Sequence, residues 1–292
     1  YKNLTFDKVL LRKRKNRAAL KSRGCQFLYL EVAKRLGDRL NDVNRGFDVA
    51  LDIGCHNGEL STLNSVKTKI GTLFEMDLSN KTDVPILGRR LIGDEESLPF
   101  ANRKLDLIIS SMSLHWTNDL PGALIQINQA LKSDGLLLAS FPGGDTLWEL
   151  RECLLEAEIE ITGGASPRIS PMIDIHTAGD LMQRAGFALP VIDTDRIVLT
   201  YANLFLLLNE LRHLGETNTV NNRSSKPPPK NLFDLASRIY HSRFSLSDGR
   251  IPATFDILYL TGWVPHKDQQ KPLEPGSAKT NLAEFLTSKE KN

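Results

Sequence analysis

The sequence predicts an α/β protein, built on a doubly wound, mostly parallel seven-stranded sheet with N-terminal helices and a helical insertion before the last strand. Short apolar runs bounded by Gly, Pro, Asp or Asn alternate with helical or turn segments. The runs are nearly continuous, the pattern of strands covered on both faces. One run ends in a glycine turn, Leu51-Asp52-Ile53-Gly54-Cys55-His56-Asn57-Gly58. Another ends in Glu75-Met76-Asp77, about twenty residues later, the separation at which an α/β fold sets a carboxylate against a ribose.

The elements follow in order. A basic amphipathic stretch, Phe6 to Ala19, precedes a helical pattern over Phe27 to Leu40, where Leu28, Val32, Leu36 and Leu40 recur every fourth position. Strands are expected at Asp48–Ile53, Ile70–Met76, Arg89–Ile92, Leu105–Ser110 and Gly135–Phe141. The helix Pro121 to Leu131 starts with proline in its first turn after Asp119 and stops before Ser133-Asp134-Gly135. Gly143-Gly144-Asp145 opens a long helix through Glu160, and a Gly/Pro/Ser-rich loop runs from Gly163 to Pro171. Two further strands, Val191–Tyr201 and Phe255–Val264, enclose a helix over Ala202–Leu214, a polar linker Thr217–Lys230 with Pro227-Pro228-Pro229, and a helix over Leu232–Phe244. The expected organisation is N-terminal helices over 1–47, one α/β domain over 48–264 with insertions at about 142–176 and 202–250, and a polar tail over 265–292.

With 292 residues, 41% of them hydrophobic and 25% charged, the chain can bury a sizeable core. A net charge of +2 argues against a nucleic-acid partner. The cations are nevertheless crowded at the N-terminus, in Lys8, Arg12, Lys13, Arg14, Lys15, Arg17, Lys21 and Arg23. This is either a solvated face or a contact for a protein or membrane surface. No apolar run reaches the roughly 20 residues that span a bilayer, so membrane association would be peripheral. Three isolated cysteines, Cys25, Cys55 and Cys153, support neither a disulfide framework nor zinc, and six scattered histidines offer no metal-ligand spacing.

Asp52 can orient the turn and receive a ligand ammonium, or simply cap the strand end. Gly54 and Gly58 supply positive φ and close backbone approach. A dinucleotide fingerprint needs glycine at 54, 56 and 59, and the chain has Gly54, His56 and Glu59, which argues against NAD or FAD. Asp77 can take both ribose hydroxyls, with Glu75 the fallback. In Gly93-Asp94-Glu95-Glu96, Asp94 or Glu95 can accept from an adenine amino group, the alternative being a solvated acidic loop. Ser110 begins a run of small hydroxyl residues at the carboxyl end of the fourth strand, followed by His115 and Trp116. His115 is a candidate general base, or a helix-start histidine packed on Trp116.

As a set, the Gly54 to Gly58 turn, Asp77, Gly93-Asp94, Leu98-Pro99-Phe100, the fourth strand and Leu131-Lys132-Ser133-Asp134-Gly135 resemble class I S-adenosylmethionine-dependent methyltransferases, over roughly residues 48 to 141. Further segments narrow the resemblance: Ser113-Leu114-His115-Trp116, Asn118-Asp119-Leu120-Pro121, Gly143-Gly144-Asp145-Thr146-Leu147, Ile169-Ser170-Pro171, Arg184-Ala185-Gly186-Phe187, Asp193-Thr194-Asp195, Gly215-Glu216 and Pro252-Ala253-Thr254. With the basic N-terminus from Phe6, they are similar to the mitochondrial complex I assembly factor 5 family, from about residue 6 to 282. Bacterial malonyl-carrier-protein methyltransferases are a more distant resemblance.

The resemblance implies a class I methyltransferase-like fold with S-adenosylmethionine as cofactor, held by Asp52, Gly54, His56, Gly58, Asp77, Asp94, Glu95 and Ser110. Related sequences carry glycine where this chain has His56. It also implies a mitochondrial matrix protein, peripheral to the inner membrane, that hydroxylates an arginine of an iron–sulfur core subunit of NADH:ubiquinone oxidoreductase alongside other assembly factors. A guanidinium substrate needs an acidic dock, and Asp145 and Glu149 are the expected carboxylates. Two other readings are a methyltransferase acting on a protein or small molecule, and a non-catalytic assembly chaperone. The run Ser110-Ser111-Met112-Ser113 departs from the Asn/Asp-Pro-Pro-Tyr/Phe of amide and adenine methylases.

Overall fold

The computed structural model describes residues 4–20, 26–82, 89–224, 226–229, 231–269 and 276–277. Cys25, Lys21, Arg23 and most of the expected tail lie outside these.

The sheet has seven strands in the order β3-β2-β1-β4-β5-β7-β6. They are β1 (Phe47–Ile53), β2 (Ile70–Asp77), β3 (Arg89–Ile92), β4 (Leu105–Ser111), β5 (Leu131–Pro142), β6 (Ala188–Tyr201) and β7 (Ile251–Trp263). The first five run parallel, and β7 lies antiparallel between β5 and β6. The chain winds outward from β1 to β3, then returns to β4 on the other side of β1. The carboxyl ends of β1 and β4 therefore flank the switch point where open α/β sheets bind ligands.

Alternation along the strands builds two cores. Leu107, Ile109, Leu136 and Leu138 face one apolar cluster, and Ile108, Leu137 and Ala139 face the other. The first is covered by α2 (Phe27–Asp42), α5 (Trp148–Thr162), α7 (Leu204–Leu214) and α8 (Leu232–Phe244). The second is covered by α4 (Leu120–Ala130) and α6 (Ile175–Arg184). On α2 the residues Leu28, Val32, Leu36 and Leu40 are buried, as their four-residue spacing predicts.

The basic N-terminal stretch forms α1 (Lys8–Ala19), capped by Asp7, whose carboxylate accepts from the Leu10 amide at 2.9 Å. A short helix α3 (Asn64–Lys69) leads into β2. Helix α6, absent from the sequence reading, is started by Asp174, which accepts from the Thr177 amide at 2.7 Å. Strand β5 begins at Leu131, earlier than expected, because Asp134 takes φ +62 and the segment continues through an irregularity rather than a separate turn. Strand β7 begins at Ile251 and includes Pro252, which is tolerated because it pairs only with β6, beyond the end of β5.

Candidate functional site

At the end of β1 the amides of Gly54 and Cys55 both donate to the Met76 carbonyl, at 2.7 and 3.1 Å, locking the turn onto β2. Gly54 has φ +73, and a Cβ there would fall 2.1 Å from the Ser113 Cβ, so the position admits no side chain. His56 has φ +48, the left-handed conformation that glycine adopts without strain. Asp77 is buried; its Oδ2 accepts from the His56 amide at 3.0 Å and its Oδ1 from the Ser79 amide at 2.6 Å. Ser110 is buried and donates to the Ile53 carbonyl at 3.0 Å, so it ties β4 to β1. Asp52 is buried with both carboxylate oxygens lacking a hydrogen-bond partner among the described residues. Burial, followed by the negative charges of Glu75, Glu59 and Asp77, raises its pKa well above the ordinary carboxylate value.

Helix α1 lies over this acidic floor. Lys8 reaches Asp94 and Glu96, each at 2.9 Å, and Glu95 at 3.5 Å. Lys15 is buried, 3.8 Å from Glu95, with its ammonium otherwise held by the fields of Asp77 and Glu216. Burial opposes ionisation of Asp77 and Glu95, but Lys15, joined at Asp77 by the Ser79 and His56 amides and at Glu95 by Lys8 and Ser113, outweighs it and holds both below the usual range. The helix is anchored at its start: Phe6 bridges to Val220 and packs edge-on against Trp116, and the Asp7 amide donates to the Thr219 carbonyl at 2.9 Å.

The His56 ring lies 4.4 Å from Tyr29, and its Nε2 donates to the Ser111 carbonyl at 3.0 Å. Burial and then the charge of Lys15 push its pKa down to about 4, so the imidazole is neutral at physiological pH. The space left among Lys15, Tyr29, His56 and Asp77 is about 30 Å³, whereas sites for cofactor-sized ligands measure roughly 300–1,000 Å³. The donor set therefore has the right chemistry for S-adenosylmethionine, with Asp77 and Glu95 in place and Asp52 unpartnered. The room does not: with α1 down and His56 inward, the arrangement does not accommodate the nucleoside.

A larger cavity, about 360 Å³, opens beside it at the carboxyl ends of β4 and β5. Its apolar wall includes Met112, Trp116, Leu147, Leu150 and Phe255, all buried. Met112 and Leu147 are held at φ +52 and +55, strained values for non-glycine residues that cluster at functional sites. The carboxylate lining this cavity is Glu216, just beyond the Gly215 cap of α7. It accepts from Tyr29 Oη at 2.7 Å, His115 Nε2 at 3.0 Å and Trp116 Nε1 at 3.3 Å. Burial opposes its ionisation, but His115, Tyr29 and Lys15 outweigh burial and hold its pKa at about 2.

His115 sits in a 3-10 turn, Leu114–Trp116, packed on Trp116 and bonded to Glu216, and it does not line the cavity. Asp145 precedes α5, is largely exposed and pairs with Arg196 at 3.0 Å. Glu149 is buried and accepts from the amide and hydroxyl of Thr254. Neither carboxylate lines the cavity, although their neighbours Thr146, Leu147 and Leu150 do. The structure thus brings His56, Asp77, Asp94 and Glu95 together beneath α1, with Asp52 buried beside Asp77, and leaves Asp145 and Glu149 off the cavity lining. Sequence reasoning passed over Glu216 and Lys15 as site residues. The signal for the first was an acid following a helix-ending glycine, and for the second a lysine in register with the buried Leu11 and Ala18. Among the described residues, no group of three or more His, Cys, Asp or Glu side chains is placed to hold a metal ion.

Residues 22–190 match the methyltransferase domain family. The human arginine-hydroxylase NDUFAF5, mitochondrial, is 41% identical over 289 residues, covering 96% of this chain and 83% of that protein. The Danio rerio protein of the same name is 39% identical, with 96% and 89% covered. A malonyl-[acyl-carrier protein] O-methyltransferase from Methylovorus sp. is 32% identical, with 89% and 90% covered. Among solved structures, a putative methyltransferase from Bacillus halodurans aligns with a TM-score of 0.53 at 13% identity, covering 81% of this chain and 100% of that one. A Haemonchus contortus phosphoethanolamine N-methyltransferase aligns at 0.51 and 14% identity, with 88% and 60% covered. These two likenesses concern the fold.

Proposed function

This chain belongs to the family of the mitochondrial arginine hydroxylases, a branch of the methyltransferase-domain proteins, and from that premise we propose that it hydroxylates an arginine side chain of a partner protein. The observation that carries the reading to a site is Glu216, an ionised carboxylate on the wall of a cavity of about 360 Å³ at the carboxyl end of the sheet. A guanidinium stays charged under all physiological conditions, and burying it without a carboxylate costs several kcal/mol, so its pocket needs a fixed anion. His115, Tyr29 and Trp116 hold Glu216 in place and ionised. The methylene stem of an arginine fits the apolar wall of Met112, Trp116, Leu147 and Phe255, which also keeps water from the C–H bonds to be oxidised. Glu216 thus takes the docking role in place of Asp145 and Glu149, neither of which lines the cavity. His115 acts through Glu216 as a positioning residue.

The substrate we propose is an iron–sulfur core subunit of NADH:ubiquinone oxidoreductase during assembly, in the mitochondrial matrix at the inner membrane, with other assembly factors as partners. No described helix is long and apolar enough to cross a membrane. S-adenosylmethionine is proposed as a ligand only of a form in which α1 has lifted; the unpartnered Asp52 beside the turn supports this. Methyl transfer is the second reading, favoured by the same acid and disfavoured by the closed turn.

Protein incubated aerobically with the recombinant core subunit and a matrix extract that supplies the oxidant and any reductant, followed by mass analysis of the subunit's arginine peptides, tests the proposal. A gain of one oxygen on an arginine is expected. A gain of one methylene, or no change with the subunit folded and a matrix extract supplied, overturns it.

A further inference from the structure

The mouth of the larger cavity carries a charge that an arginine substrate alone does not explain. Arg14, Arg17, Arg168 and Arg212 all line it. Arg168 is matched by Glu158, 2.6 Å away. Arg14 donates to the Asn218 carbonyl, and Arg17 and Arg212 are exposed. Among the described residues none of these three forms an ion pair with a carboxylate. Arg14 is half-buried, and burial together with the like charges of Arg223 and Arg17 holds its pKa below the ordinary arginine value. Three guanidiniums without an ion-paired carboxylate among the described residues therefore line an opening whose wall is largely apolar and whose anion is Glu216.

An arginine approaching by itself would meet like charge before it reached Glu216. Carboxylates beside it in the same segment turn that repulsion into attraction. Residues of an extended segment are spaced about 3.3 Å apart, so acids one or two positions from the arginine reach the mouth while its side chain enters the cavity. A flat layer of lipid headgroups meets Arg17 and Arg212 but not the recessed Arg14. We infer that the mouth docks an acidic segment of the substrate protein: carboxylates flanking the target arginine pair with Arg14, Arg17 and Arg212 while the arginine passes between them to Glu216. This rests on the arginine-docking reading above and adds the chemistry of the surrounding sequence.

The test is fluorescence anisotropy of the full chain with fluorescein-labelled peptides carrying a central arginine flanked by aspartates, serines or lysines. The aspartate peptide is expected to bind about tenfold more tightly than the serine peptide at low salt, an advantage that shrinks as salt rises. The double variant Arg17→Glu/Arg212→Glu, altered only at exposed positions, is expected to reverse the order and prefer lysine flanks. Equal binding of all three peptides, or no reversal in the variant, overturns the inference. An aspartate peptide with citrulline in place of arginine separates the two levels: undiminished binding sinks the Glu216 docking reading while leaving the flank preference standing. Equimolar phosphatidylcholine and phosphatidylserine vesicles form the last arm. Vesicle binding that the double variant abolishes, with no peptide binding, assigns the mouth to a membrane surface and overturns the inference.

Discussion

His56 occupies a left-handed backbone position, stacks on Tyr29 and fills the space above the glycine turn. Its proton is held less firmly in the folded protein, with a pKa of about 4, than in the unfolded chain at 6.5. The unfolded state therefore binds more protons between these values, and stability falls as pH drops from 6.5 and levels off below about 4, by about 3 kcal/mol in all. His56→Gly should remove that slope, relieve the backbone and enlarge the cavity. Urea midpoints across this pH window check it, and an unchanged slope in the variant would show that another group is responsible. Glu216, with its pKa depressed to about 2, adds a separate loss below the carboxylate range as pH falls from 4.5 towards 2. The sequence made the position legible, since a histidine stood where glycine was expected. It did not make legible where the ring points, because Tyr29 and Ser111 lie far away along the chain.

Helix α1 shows how charge pattern misleads without its partner surface. Its cations read as a solvated face or a docking patch, yet Lys15 is buried and Lys8 bridges three acids of the loop after β3. Two of those acids, Asp94 and Glu95, are the expected adenine contacts, so the helix and a nucleoside compete for the same carboxylates. Lys15 makes no hydrogen bond to the acids around it, so Asp77, Glu95 and Glu216 hold its buried ammonium by their fields alone and keep its pKa above the ordinary lysine value. Lys15→Met should leave Asp77, Glu95 and Glu216 without their central cation and cost about 3 kcal/mol in a urea titration. If α1 displacement opens the turn, S-adenosylmethionine should raise the melting temperature of this variant more than that of the parent chain. An equal or absent shift in both would remove the ligand from the account. Helix α6 was missed for a different reason: it follows a loop rich in Gly, Pro and Ser, and its ten residues are too short for periodicity to outweigh that composition.

At the scale of the molecule, the seven strands and their mostly parallel sheet were legible because they depend on local periodicity and on turns that glycine and aspartate mark, whereas the order of the strands came only from the structure. The candidate site was legible only where it follows a strand end. Asp52, Asp77, Asp94 and His115 fall at or just beyond such ends, whereas Glu216, Tyr29 and Arg14 come from three separate segments through packing that no spacing encodes. The account stands on that convergence, in which a cavity of about 360 Å³ has an apolar wall, one ionised carboxylate and a cationic mouth. A crystal structure of the full chain with the aspartate-flanked arginine peptide tests it most directly. The account expects the guanidinium inside the cavity with a nitrogen within hydrogen-bond distance of Glu216 and the flanking carboxylates on Arg14, Arg17 and Arg212. A guanidinium seated instead on Asp145 or Glu149, or a cavity left empty with the peptide bound elsewhere, would contradict it.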